Sequence, residues 1–442
     1  MAKKSTQFVV KELKIVTKGG IDIDIKNIFV EINIFDTILF PVMSGKLLIN
    51  DSLGLSKRLL FDGSEALLVH IKKTDETDIG TFKKAFKIYK QSNRKNNTPQ
   101  NESYILHFVS DELLFSEQQR VNQYYENTYS KISLSILKDY LQVSDNRLNG
   151  FYTPSFGLKK IVIPNLKPID AIQWCCKRAT DQLQSPNFLF FENVNGFNFV
   201  SLSDLLPKDS ILDVKYETKN ISNESAGKEL NGARSFEVLT QTNFIERTKA
   251  GVNAGKFVGF DPITKSIQEQ NFTYGSHYDS MEHANKQPNF SEIANRDGTT
   301  NSTTYNSRKS VSLFTTNRKN SNYISKNDPH SVTFDENQNA FLFQRKAIIE
   351  NLLSKRLKVV MPGNFELSSG FNVNVDVPYI GSRSNDYENK DVSINGKHII
   401  IATRHIIGFE KHETIMETAT TSNDLNFVPK STYQENSEIE NY

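Results

Sequence analysis

The chain has 442 residues, 24% of them charged, and a formal net charge of +2. That balance excludes a strongly basic surface that grips nucleic acid by charge alone, and the length calls for roughly two to four units. The two cysteines, Cys175 and Cys176, are adjacent, which disfavours a mutual disulfide and offers no CxxC zinc pattern.

The opening residues, MAKKST, carry the charge of a secretory leader without its apolar core. No run reaches the ~20 apolar residues of a membrane span. The expectation is a chain made in the cytoplasm and kept there, or assembled there into something larger.

Residues 1–112 read as a first β unit. FVVKELKIV, IDIDIKNIFVEINIF, SGKLLIND, EALLVHI, FKKAFKIYKQ and ESYILHFVS are short Ile/Val/Phe-rich runs, several alternating, punctuated by Gly19–Gly20, Gly54, Gly63 and Gly80. The period then changes, and 113–210 reads as an α+β unit. In SKISLSILKDYLQV, Ile132, Ile136, Leu137, Tyr140 and Leu141 mark one helical face, with Ser130 as N-cap. A second helix starts at Pro168, with Asp170 in its first turn. NFLFFENVNGFNFVSL reads as a hairpin turning at Asn195–Gly196.

A second β unit with a helix is assigned to 211–264 and 337–422. SFEVLTQTNFIERTKAG reads as helix, and GKFVGFDPITKSI as strand and turn with Pro262 in the turn. Between the two pieces lies a polar insertion, 265–336. Within 271–330, Asn, Ser and Thr make up 26 of 60 residues and Ile, Leu and Val only four, too few to build a core of its own. In NAFLFQRKAIIENLLSKR, the spacing of Phe341, Arg345, Ile348 and Leu352 predicts an amphipathic helix. Strands follow in LKVVMPG, FNVNVDVP, KHIIIATRHII and HETIMETAT, and 423–442 reads as a polar tail. The predicted fold class is a β-rich α+β multidomain protein.

Chemistry is sparse. His398, His405 and His412 are seven apart, but in β-branched strands an odd separation sends His398 and His405 to opposite faces. Gly408 starts a turn, so His405 and His412 are the one pair able to meet across a hairpin. HETIMET lacks the second histidine of HExxH, and GxSxG, GxGxxG and GxxxxGK[ST] are absent. Asp22–Asp24 and Asp111–Glu112 read as solvated carboxylates, and Lys3–Lys4 and Lys83–Lys84 as solvated basic pairs. Trp174 reads as a core anchor or interface residue. Tyr124, Tyr125 and Tyr129 cluster before the first helix, where packing of that helix is the commoner explanation and an interface patch the alternative. No catalytic residue, metal ligand or cofactor is assigned.

Four stretches together resemble the central baseplate hub proteins of T-even-like contractile bacteriophage tails. They are SGKLLINDSLGLSKRLLFDGSEALLVHIKK, IPNLKPIDAIQWCCKRATD with SPNFLFFENVNGFNFVSLSDLL, TNFIERTKAGVNAGKFVGFDPITKSI, and MPGNFELSSGFNVNVDVP with SINGKHIIIATRHIIGFEKHETIMETATTSND. The resemblance implies two tail-tube-like β-barrel domains in one chain. It also implies a non-enzymatic homotrimer in the virion baseplate, assembled in the host cytoplasm. Its implied partners are the tail tube protein, a central spike protein, and baseplate wedge or other hub components, with genome DNA only passing through the lumen and no membrane insertion. Three chains of two units match a sixfold tube to a threefold spike, and units in such a ring cap each other's strand edges. Structural or interface positions are Asp51, Gly63 and Glu65 in the first stretch, Trp174 in the second, and Gly370, Gly396, Ile400 and His405 in the fourth. Ile399, Ile400 and Ile401 are expected to be buried on both sides. The rival readings are the hub of a related contractile injection system or tailocin, a tail-associated peptidoglycan hydrolase, which needs a carboxylate pair in a cleft, and a carbohydrate-binding tail module presenting the tyrosine cluster.

Overall fold

A computed structural model describes residues 8–59, 61–73, 80–148, 150–182, 185–216, 232–240, 244–261, 265–278, 281–288, 311–316, 342–377, 394–409 and 411–423. The alternating runs of the first third become β1 (Phe8–Val16), β2 (Asp22–Asp24), β3 (Phe29–Thr37), β4 (Ser44–Asp51), β5 (Ala66–Lys73), β6 (Phe82–Thr98) and β7 (Asn101–Val109), with one turn of helix, α1 (Leu55–Arg58), after β4. They pair antiparallel in the order β3–β4–β7–β6–β5–β1–β2. The period of two puts Leu67, Val69 and Ile71 of β5 on one face. There they share a core with Leu13, Ile15, Ile32, Leu47, Phe86 and Phe108.

Helices enter with α2 (Asp111–Gln118), β8 (Tyr124–Asn127), α3 (Tyr129–Asp139), a 3-10 turn (Asp145–Arg147), β9 (Lys159–Val162) and α4 (Pro168–Cys176). The hairpin β10 (Phe188–Asn193) and β11 (Gly196–Ser201) follows, then α5 (Leu202–Leu205). Pro168 is at the start of α4 with Asp170 in its first turn, as the sequence predicts. The cap of α3 is corrected: Thr128, extended at φ −71° and ψ 151°, is the N-cap, and its Oγ1 accepts from Lys131 N at 3.4 Å. Ser130 lies inside the helix and is buried, its N–H donating to Ser155 Oγ at 2.9 Å. The hairpin reverses through Val194–Asn195, and Gly196 opens β11 with φ +117°. Every residue of β10 and β11 is buried, the polar Glu192, Asn193, Asn198 and Ser201 included.

The rest comprises β12 (Ser210–Lys215), β13 (Ser235–Thr240), α6 (Phe244–Lys249), β14 (Ala254–Asp261), β15 (Ser266–Thr273), α7 (Tyr274–His277), β16 (Gln287–Pro288), β17 (Val311–Thr316), α8 (Leu342–Ser354), β18 (Arg356–Pro362), β19 (Asn372–Asp376), β20 (Gly396–Gly408), β21 (His412–Ala419) and β22 (Ser422–Asn423). The helix expected over SFEVLTQTNFIERTKAG is half wrong. Its first part is β13, because Phe236 and Val238 pair with Val359 and Leu357 of β18 and long-range pairing outweighs local propensity. Only Phe244–Lys249 is helical. Helix α8 buries Phe343, Ala347, Ile348 and Leu352. The described part of the polar insertion adds to a shared core: Phe272, Tyr274 and Tyr278 pack with Phe343 and Ile348. Lys3–Lys4, Pro262, Phe341, Glu410 and the tail beyond Asn423 lie outside the described residues.

The largest departure concerns the two barrels. One continuous sheet runs β13–β18–β21–β20–β3–β4–β7–β6–β5–β1–β2, with β19 and β12 branching from β20, and no closed barrel forms among the described residues. The halves join because β20 is 13 residues long: its first part pairs with β19, and its second part pairs antiparallel with β3, from Ala402↔Thr37 to Gly408↔Glu31. Ile399, Ile400 and Ile401 are all buried, as expected for a strand covered on both faces.

Candidate functional site

The structure puts most of the sequence candidates to work as local fasteners. Asp51 ends β4 and is buried; its carboxylate accepts from Leu53 N at 2.9 Å, Ser56 N at 3.1 Å and the Tyr104 hydroxyl at 3.3 Å, fixing α1. Gly63 takes φ +94° and donates its N–H to Glu65, which is buried. Trp174 packs against the α3–α4 core, edge-on to Tyr129, with the Arg178 guanidinium 3.8 Å over its ring. Tyr124 is 52% exposed, whereas Tyr129 is buried. Gly396 opens β20 opposite Val375 with φ +119°. Gly370 and Ile400 are brought together: Gly370 N donates to Ile400 O at 2.9 Å, and Ile400 N donates to Phe371 O at 2.8 Å.

The parity argument for the histidines is overturned. Pairing of β20 with β21 slips between Ile400 and Ala402, so one extra residue is accommodated at a bulge and the alternation is reset. His398 therefore returns to the face of His405. Their ring nitrogens sit 3.5 Å from Thr418 Oγ1 and 3.1 Å from Thr414 Oγ1, and those threonines share a face of β21. His405 and His412 do meet, Nδ1 to Nε2, at 3.4 Å, and the Phe365 ring packs tilted against both, its centroid 4.6 Å from each. No cluster of three potential ligands that could hold a metal ion occurs among the described residues. Burial pushes His398 and His405 down to about 3 and His412 well below the usual range, so all three are neutral packing groups.

This makes a prediction. A depressed histidine stabilises the fold above about 6.5 and loses that contribution as pH falls toward the folded value. Between about pH 6 and 4, each histidine should lower the folding equilibrium constant by up to about tenfold per pH unit. Denaturant midpoints across that range should drop steeply, and His398→Gln should make the drop shallower.

A buried charge network escaped the sequence reading. Glu192 on β10 is 1% exposed, and its carboxylate accepts from Met43 N at 2.9 Å, Ser110 Oγ at 2.6 Å, Arg147 Nη2 at 2.6 Å and Lys84 Nζ. Arg147 also reaches both carboxylate oxygens of Glu112 on α2. So Lys84 and Glu112 are not solvated, although Lys83, Asp22 and Asp24 are exposed. Burial drives Glu192 upward, but the cations Lys84 and Arg147 outweigh it and hold the carboxyl below its usual range. The signal was present: Lys84 shares parity with Phe82, Phe86 and Ile88, and Glu192 sits inside FLFFEN. The network ties the sheet to the helical layer.

A second buried acid, Asp36 on β3, fastens the two halves of the sheet. It accepts from Thr403 Oγ1 on β20 and from Ser368 Oγ and Ser369 N just before β19. Burial, opposed by these donors, pushes its carboxyl up to about 6. A cleft of about 630 Å³ lies beside α1, lined by Asp51, Lys57, Asn96 and Glu102 among others. Its carboxylates are already engaged, Asp51 as above and Glu102 by Ser56 and Arg94.

Two stretches of sheet edge combine exposure with apolar side chains. Among the described residues β13 pairs only with β18, and Val238 and Leu239 are 37% and 36% exposed. β6 pairs with β5 only through Phe82–Lys87. Beyond that, among the described residues, it pairs with β7 alone, exposing Tyr89 near Lys90, Arg94 and Lys95.

No protein-family model and no curated protein matches the sequence. Among solved structures, the 43 kDa tail protein of prophage MuSo2 from Shewanella oneidensis is similar over 92% of this chain and 97% of its own, with 10% identity and a TM-score of 0.52. A tail protein from Neisseria meningitidis MC58 aligns over 92% and 96% of the two chains, with 10% identity and a TM-score of 0.49. An E. coli component of the type VI secretion system aligns over 96% of this chain and 79% of its own, with 8% identity and a TM-score of 0.44. The fold assignment rests on the first: over nearly its whole length this chain has the fold of a prophage tail protein.

Proposed function

We propose that this chain is a structural subunit of a contractile phage tail, namely the baseplate hub. Three copies form a ring that carries the tail tube on one face and a separate spike on the other, and lets DNA pass through its lumen. The observation that carries this reading is the edge-to-edge joining of two β arrays through β3 and β20 in one chain. A chain that presents two arrays side by side converts a threefold ring into six similar positions. The fold of a prophage tail protein supports it. So does the use of the buried charges as fasteners between layers. In the ring, the open edge of β13 on one copy pairs with the distal part of β6 on the next. Two different edges make a head-to-tail contact, which closes into a ring when the rotation fits. The near-neutral net charge of +2 suits a channel through which DNA slides without sticking.

Edge lysines block strand addition. The double variant Val238→Lys/Leu239→Lys should therefore stay folded, since both side chains are already partly exposed, yet run as a monomer by light scattering where the unaltered chain runs as a trimer. A folded variant that assembles as the unaltered chain does would remove β13 from the contact.

A further inference from the structure

We propose that the Glu192 network holds a resident proton between the carboxyls of Asp111 and Glu112, and that this proton links the joint between sheet and helical layer to pH. The charge count points there first. Around this joint α2 supplies Asp111 and Glu112, β10 supplies Glu192, β6 supplies Lys84 and the 3-10 turn supplies Arg147. Three carboxylates against two cations leave one negative charge in excess; Asp111 is 37% exposed, but Glu192 and Glu112 are only 1% and 3% exposed. An uncompensated charge there is costly, and one proton taken up from solvent cancels it.

The hydrogen bonds say where the proton sits. Glu192 already accepts from four donors, so it is less basic than Glu112. Among the described residues Glu112 has only Arg147 as a donor. Asp111 Oδ1 is buried and receives no hydrogen bond from a protein donor among the described residues; it lies 3.7 Å from Arg147 Nη1 and interacts with the Glu112 carboxyl. A proton on Glu112 supplies the missing donor, and its loss returns it to solvent, leaving two facing carboxylates. In agreement, burial and then the charge of Glu192 push Glu112 up to about 7 against the pull of Arg147.

A carboxyl raised on folding stabilises the native state most below its unfolded value, and that stabilisation is lost as pH rises toward 7. The buried histidines act in the opposite sense, so the cluster must be read as a difference between variants. Glu112→Gln keeps an acceptor for Arg147 and a donor for Asp111 but does not titrate. The ratio of its folding equilibrium constant to that of the unaltered full-length chain should rise by up to about 100-fold from pH 5 to pH 7, then level off. Asp111→Asn, which also removes the excess charge, should bring the carboxyl carbon resonance of Glu112, followed by NMR, to a lower titration midpoint. If Glu112→Gln does not fold, that shift decides alone. A ratio that stays flat from pH 5 to 8, or a Glu112 resonance that titrates as an ordinary carboxylate in the unaltered chain, would overturn the proposal.

Discussion

Glu192→Leu is expected to destabilise the chain by about 3–5 kcal/mol, the range for removing one partner of a buried ion pair. The leucine fills much of the same volume, so the loss is electrostatic rather than a cavity. Lys84, whose side chain is 11% exposed, would lose its carboxylate. Arg147 would keep only Glu112 and the more distant Asp111. The Ser110 hydroxyl and the Met43 N–H would lose their shared acceptor as well. Urea unfolding at pH 7 measures the difference. Adding Lys84→Met to Glu192→Leu should recover part of the loss, because an apolar pair tolerates the site better than a stranded ammonium. A loss below about 1 kcal/mol for Glu192→Leu would mean that the network is not what holds the layers together.

Gly196→Ala should cost about 2–4 kcal/mol for a different reason. Gly196 adopts φ +117°, a conformation that L side chains rarely take. A Cβ there would also lie 2.1 Å from the carbonyl oxygen of Arg147. Backbone atoms cannot swing aside as a side-chain tip does, so the 3-10 turn carrying Arg147 would have to move. The same substitution at Gly20, with φ +76° and nothing within 4 Å, should cost less, since it bears the conformational strain without the collision. Thermal unfolding of the two variants side by side separates the two effects.

The sequence carried most of the strands, because one buried face imposes a period of two on FVVKELKIV and EALLVHI. It carried α4, because proline at the first position and an aspartate in the first turn are local signals. Pairing is not local. Nothing in the composition of either strand says that Thr37 lies opposite Ala402, so two β runs far apart in the chain read as separate units although one sheet joins them. The histidines show the same limit: they lie on strands as their β-branched neighbours predict, but one extra residue near Ile401 reverses the parity that places them. Lys84 and Glu192 were legible by position and missed by type, since a charged residue is expected to be solvated unless a partner is known. Their partner relations span β6, β10 and the Asp145–Arg147 turn, and only the fold brings those together.

The ring is tested most directly by the native mass of the purified chain, alone and mixed with tail tube protein. Assembly through β13 and β6 requires a species three times the 50.4 kDa of one chain, and ring-shaped particles with threefold symmetry by electron microscopy. A species that remains at 50.4 kDa at every concentration, with tube protein present or absent, would contradict it.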